Sequence, residues 1–106
     1  MYLSSNGIKK IENLNNLTEL TTLDLAQNQI EKLENLESLE KLEELWMNDN
    51  KLSEWKLIDI LKGLKNLKTV YFESNPISKD VMYRKKLMLI NPNLEQIDAN
   101  ISKMSK

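Results

Sequence analysis

Residues 20–28 read LTTLDLAQN, and this nonapeptide returns as LEELWMNDN at 42–50 and as LKTVYFESN at 67–75. All copies fit one frame, apolar-x-x-apolar-x-apolar-x-x-Asn, spaced by 22 and then 25 residues without a gap inside any copy. Leu3 and Asn6 belong to a partial earlier copy, and Leu94-x-x-Ile97-x-Ala99 begins a last one. Self-similarity at a fixed period of this size is the mark of a stacked-repeat architecture, in which each unit buries its apolar side against its neighbours. The array amounts to about four units, and the chain is expected to begin inside one of them.

Within a unit, the x-Leu-x-Leu core reads as a short strand whose apolar residues point inward at period two. Strands one repeat apart then stack as a parallel ladder. Asn6, Asn28, Asn50 and Asn75 fall in the turn after each strand, where a buried amide satisfies loop backbone groups that no ladder bond reaches. On the return path apolar residues recur every three: Ile11, Leu14, Leu17, Leu20, then Leu33, Leu36, Leu39, Leu42, then Trp55, Ile58, Leu61, Leu64, Leu67. Side chains three apart eclipse in a 3₁₀ helix, so the first two return segments read as short 3₁₀-like turns. The third, longer by three residues and carrying Leu57 and Ile60, is expected to be α-helical, loosened at its end by Gly63. The fold class is therefore α/β: a leucine-rich-repeat solenoid with parallel strands on its concave face and 3₁₀ or α segments on its convex face.

The repeats are expected to span residues 1–75. After Asn75-Pro76 the pattern changes, and Ser78 to Ile90 reads as an amphipathic cap helix with Val81, Tyr83, Leu87 and Ile90 inward and Arg84, Lys85 and Lys86 outward. Pro92 stops it, and Leu94, Ile97 and Ala99 add a closing strand, so the C-terminal cap covers 76–100. Residues 101–106 are expected to fray.

Side chains between the inward apolar positions write the concave surface. Its central column is Asp24, Trp46, Tyr71, Asp98; the preceding column is Thr22, Glu44, Thr69, Gln96; the following one is Ala26, Asn48, Glu73, Asn100. Adjacent strands lie about 4.8 Å apart, so Trp46 and Tyr71 should touch, with Asp24, Glu44 and Glu73 around them. Aromatic anchors ringed by carboxylates suit a protein partner that presents Arg or Lys beside an apolar contact. Trp55, five residues after Asn50 as Leu33 is after Asn28, should instead be core.

Composition narrows the function classes. The 106 residues contain neither Cys nor His, which removes thiolate nucleophiles, imidazole bases and most transition-metal sites, so neither metal nor cofactor is expected. Asp24 with Glu44, or Glu44 with Glu73, could be imagined as an acid/base pair, but no cleft, nucleophile or phosphate-binding Gly loop accompanies them. An enzyme is not expected. With 15 basic against 16 acidic residues, nucleic acid and anionic membrane drop out as partners, and no apolar stretch is long enough to span a bilayer. The start MYLSSNGIKK does not read as a signal peptide, so an intracellular address is expected, and the sequons at Asn16 and Asn100 read as chance matches.

LDLAQNQIEKLENLESL, LEELWMNDNKL and LKGLKNLKTVYFESNPISKDVMYRKKLMLINPNLEQIDA resemble the last repeats and C-terminal cap of the Sds22 group, leucine-rich-repeat regulators of protein phosphatase 1. Trp46-Met47-Asn48-Asp49-Asn50 and Val70-Tyr71 carry most of that likeness. The cap pattern is shared with splicing and ciliary dynein repeat proteins. The resemblance implies a non-enzymatic subunit of nucleus and cytoplasm that cradles the phosphatase catalytic subunit on acidic and aromatic concave residues, here Asp24, Glu44, Trp46 and Tyr71. The alternative it leaves is a structural scaffold of a ciliary dynein or splicing ribonucleoprotein complex. A shorter array than the family's also implies an open first edge and weak self-association through it.

Overall fold

The alternation read in each repeat becomes a three-residue strand with one buried side chain between two half-buried ones: β1 Thr22–Asp24, β2 Glu44–Trp46 and β3 Thr69–Tyr71. A computed structural model describes residues 1–101 and adds β4 Gln96–Ile97 and β5 Asn100–Ile101, giving one sheet in the order β1-β2-β3-β4-β5. The first four strands are parallel, in the register Thr22–Glu44–Thr69–Gln96 and Asp24–Trp46–Tyr71. The column from Thr22 to Gln96 and the central column as far as Tyr71 are thus rows of the sheet. Before β1, Leu3 N–H donates to the Asp24 carbonyl and Tyr2 forms a parallel bridge with Asp24, extending the ladder by one position.

Beneath the sheet, Leu23, Leu45, Val70 and Ile97 form one apolar row, with Leu25, Met47 and Phe72 the next; all are buried. A second ladder, of side-chain amides, runs beside it. Asn50 Nδ2 donates to the carbonyls of Met47 in its own repeat (3.0 Å) and Leu25 in the previous one (2.9 Å), while its Oδ1 accepts from Ile30 N–H (3.0 Å). Asn28 and Asn75 repeat the pattern, and all three are buried. Each amide reaches back to the preceding unit. Asn6 is exposed instead, and its amide donates only to Ser4 O.

The first two return segments are chains of single i→i+3 turns, Leu17 to Leu14 and Leu20 to Leu17, then Leu39 to Leu36 and Leu42 to Leu39. The third corrects the α-helical expectation: Trp55–Gly63 is a 3₁₀ helix of nine residues. Its apolar residues recur every three, which keeps one face inward at three residues per turn and would spiral off an α-helix. Buried Asn91 caps it by donating to the Leu61 and Leu64 carbonyls.

The cap also differs from a single helix over 78–90. A short 3₁₀ helix, Pro76–Lys79, ends where Asp80 adopts an extended backbone, and α1 (Tyr83–Ile90) starts afresh. That break moves Val81 out of helical phase, leaving it 96% exposed rather than inward. Tyr83 and Leu87 are buried as expected, and Ile90 half so. Lys86 and Arg84 are not free outward cations. Lys86 Nζ pairs with Asp80 Oδ2 at 2.6 Å and sits 5.3 Å from the Trp55 ring centroid, and Arg84 donates to Ile97 O. Trp55 is half-buried rather than core: its indole N–H donates to Asp80 Oδ2 at 3.0 Å, which holds the ring at the margin where a polar tip finds a partner. After β4 the chain reverses, so β5 runs antiparallel, with Gln96 opposite Ile101. The rest of the expected frayed end, from Ser102, lies outside the described residues.

Candidate interaction face

Strand spacing and pleat place Trp46 and Tyr71 side by side on the outward face, as the register requires. Their rings stack with centroids 4.6 Å apart and planes inclined by 29°. Both are half-buried, since each covers part of the other, and such pairs are rigid apolar surfaces with few rotamers to lose on binding. Glu44, two residues before Trp46 and so on the same side of the strand, accepts from the indole N–H at 3.3 Å. The carboxylate thereby stands beside the aromatic pair.

Asp24 neighbours Trp46 across the β1–β2 ladder, and its Oδ1 accepts from Ala26 N–H at 2.9 Å, which fixes the carboxylate at the strand end. Glu73 is exposed, two residues beyond Tyr71. The five residues named from the sequence therefore occupy three neighbouring strands and the turn after the last, on one face. Three other outward assignments change. Ala26 is buried, and Asp98 turns into the structure, accepting from Phe72 and Glu73 N–H at 2.9 and 3.1 Å and from the Tyr83 hydroxyl at 2.8 Å. Asn100 leaves the third column because β5 is antiparallel.

The central row gains one member that sequence reading missed. Tyr2, bridged to Asp24 and 77% exposed, precedes Asp24 by the same 22-residue step that separates Asp24 from Trp46. Counting back one more period would have found it. Gln96 is the second addition: its Nε2 donates to Tyr71 Oη at 3.0 Å and to the Asp98 carbonyl at 2.8 Å. Position alone placed it in the column preceding the central one, and its bond to Tyr71 follows from the diagonal neighbour distance in a ladder. Tyr83, beneath this edge, has its hydroxyl pKa pushed well above the usual tyrosine range, first by burial and then by the charge and hydrogen bond of Asp98. Chemically the face offers flat apolar area, carboxylates and hydroxyl groups, which is equipment for contact.

Comparison with known proteins agrees with this architecture. A family model described as Leucine-rich repeat matches residues 1–105. Among curated relatives, "Protein phosphatase 1 regulatory subunit 7" of Homo sapiens is 54% identical over 48 residues, covering 45% of this chain and 13% of the relative. "Protein phosphatase 1 regulatory subunit SDS22" of Schizosaccharomyces pombe is 52% identical over 60 residues, covering 54% of this chain and 18% of the relative. The chain thus spans less than a fifth of the length of these relatives. Among solved structures, a chain of the Drosophila melanogaster SNF/U2A′ complex superposes with a TM-score of 0.74 at 25% identity, covering 96% of this chain and 73% of that one. An internalin of Listeria monocytogenes gives 0.73 at 27% identity, over 93% of this chain and 27% of that one.

Proposed function

Because the chain belongs to the leucine-rich-repeat family, we propose that it serves as a non-enzymatic interaction module that binds the protein phosphatase 1 catalytic subunit through the concave face of its sheet. The choice of partner rests on one observation, the likeness to relatives named as phosphatase 1 regulatory subunits. The choice of face is supported by the stacked Trp46–Tyr71 pair. In this reading Trp46 and Tyr71 are the anchors, and Asp24, Glu44 and Glu73 receive basic side chains of the partner. The carboxylates also speed encounter with a basic surface, an effect that salt screens.

The test is a titration of purified phosphatase 1 catalytic subunit with the 106-residue chain and its Trp46→Ala variant, followed by calorimetry. Loss of an anchor of this kind is expected to weaken binding by at least about 2 kcal/mol. Equal affinity for both proteins, or no binding by either, would sink the proposal.

A second reading is favoured by the likeness to the SNF/U2A′ chain, which covers nearly the whole molecule. On that reading the chain is a scaffold of a splicing ribonucleoprotein. It would then capture a protein of the SNF kind and ignore the phosphatase in the same titration.

A further inference from the structure

Gln96 spends both of its amide hydrogens within the chain, one on the Asp98 carbonyl at 2.8 Å and one on Tyr71 Oη at 3.0 Å. A backbone carbonyl can only accept, so it is the amide nitrogen of Gln96, not its oxygen, that faces this corner. Tyr71 Oη is therefore the acceptor in its contact with Gln96, and its own O–H has no acceptor among the described residues. The ring cannot swing to find one easily, being stacked on Trp46. Carboxylates flank the pair: Glu44, which holds the Trp46 indole N–H, Asp24 across the ladder, and Glu73 in the turn after β3.

We infer that Gln96 is a positioning residue of the interaction face: by donating to Tyr71 it turns the phenolic hydrogen outward, so that Tyr71 meets its partner as a hydrogen-bond donor to a neutral carbonyl oxygen. A partner carboxylate at this point would face the negative charges of Asp24, Glu44 and Glu73, whereas a backbone or side-chain amide carbonyl would not. The inference rests on the reading of this face as the phosphatase-binding surface. It adds the polarity of one contact and the residue that sets it.

The experiment is a double-mutant cycle on the whole chain, reading affinity for purified phosphatase 1 catalytic subunit, with Trp46→Ala as the control for the face itself. Tyr71→Phe keeps the stack and removes the proton, and is expected to weaken binding by about three- to tenfold. Gln96→Glu offers the phenol an acceptor and draws its proton inward, so it is expected to weaken binding by a similar factor. In the Tyr71→Phe background it should cost nothing further, whereas a purely structural or charge effect of the introduced carboxylate would persist there. Gln96→Met, which offers neither donor nor acceptor, should lose less than Gln96→Glu and serves if the Glu variant fails to fold. In the free chain, the tyrosine Fermi doublet of the Raman spectrum should shift on Gln96→Glu and not when Tyr71 is already Phe. Additive losses in the cycle, or a Tyr71→Phe variant that binds as well as the parent while Trp46→Ala does not, overturn the inference and leave the binding reading standing. If Trp46→Ala binds as the parent does, or the parent does not bind, both fall together.

Discussion

The Tyr83 hydroxyl donates to Asp98 Oδ2 at 2.8 Å while Asp98 Oδ1 accepts from the backbone N–H groups of Phe72 and Glu73, so one carboxylate ties the cap helix to the end of β3. Repeat register alone would have aimed Asp98 at solvent. Removing the hydroxyl with Tyr83→Phe leaves one lone pair unused in a partly buried site and is expected to cost about 1–2 kcal/mol. Asp98→Ala strands three donors at once and should cost about 2–4 kcal/mol. Urea denaturation at neutral pH measures both; equal, negligible losses would mean that the cap is held by Leu87 and its apolar neighbours alone.

The same pair predicts a pH dependence with a definite sign. Burial, then the charge of Asp98, raises the Tyr83 pKa in the folded state, so above the unfolded value the folded chain holds a proton that the unfolded chain has released. Stability from this residue is therefore complete below pH about 10 and declines as pH rises beyond it. Thermal unfolding followed from neutral to strongly alkaline pH should show this decline in the parent and a shallower one in Tyr83→Phe. Parallel curves would argue against it.

Asn50 matters more to stability than an amide bonded within its own turn, because it serves backbone groups in two repeats. Asn50→Ala leaves the Ile30 N–H unpaired in the interior and takes from the Leu25 and Met47 carbonyls one of their two amide donors, the other being Asn28 and Asn75 respectively. The expected cost is about 3 kcal/mol, against under about 0.5 for Asn6→Ala, whose amide is exposed and holds only Ser4 O. Denaturation midpoints of the two variants decide it, and similar values would remove the amide ladder from the account of stability.

The outward columns were legible from spacing because a parallel ladder turns a constant repeat length directly into a register: 22 residues from Asp24 to Trp46 and 25 to Tyr71 place all three in one row. The return segments were less legible, since apolar residues every three fit both a continuous 3₁₀ helix and a string of separate turns. Nor does periodicity register Asp80, whose extended backbone resets the helical phase and exposes Val81. The turns hide a further regularity. Gln27, Asp49 and Ser74, each just before its ladder Asn, all have φ near +60° (56, 61 and 60°). This left-handed kink swings the next amide inward, yet no glycine marks it, so composition gives no warning. The site followed the same division: Trp46, Tyr71 and Glu44 are matters of register, whereas the Gln96 bond and the inward turn of Asp98 depend on how the chain closes.

The two tryptophans are separated by environment, although less sharply than register suggests. Trp46 touches Tyr71 and Glu44 on a face open to solvent, so Trp46→Ala removes one stacked contact and should cost about 1 kcal/mol of stability. Trp55 packs against the core, lies 6.3 Å from the Tyr83 ring centroid, donates to Asp80 and carries Lys86 over its ring. Trp55→Ala therefore opens a gap between the long 3₁₀ helix and α1 and releases the anchor of the Asp80–Lys86 pair. A loss of about 2–4 kcal/mol is expected, below that of a fully buried indole because part of the ring is already wet. Binding should follow the opposite order, with Trp55→Ala near parental affinity wherever it remains folded. Unfolding curves and phosphatase titrations on both variants check the pair; a Trp55→Ala protein that is folded and fails to bind would move the functional surface to the convex side.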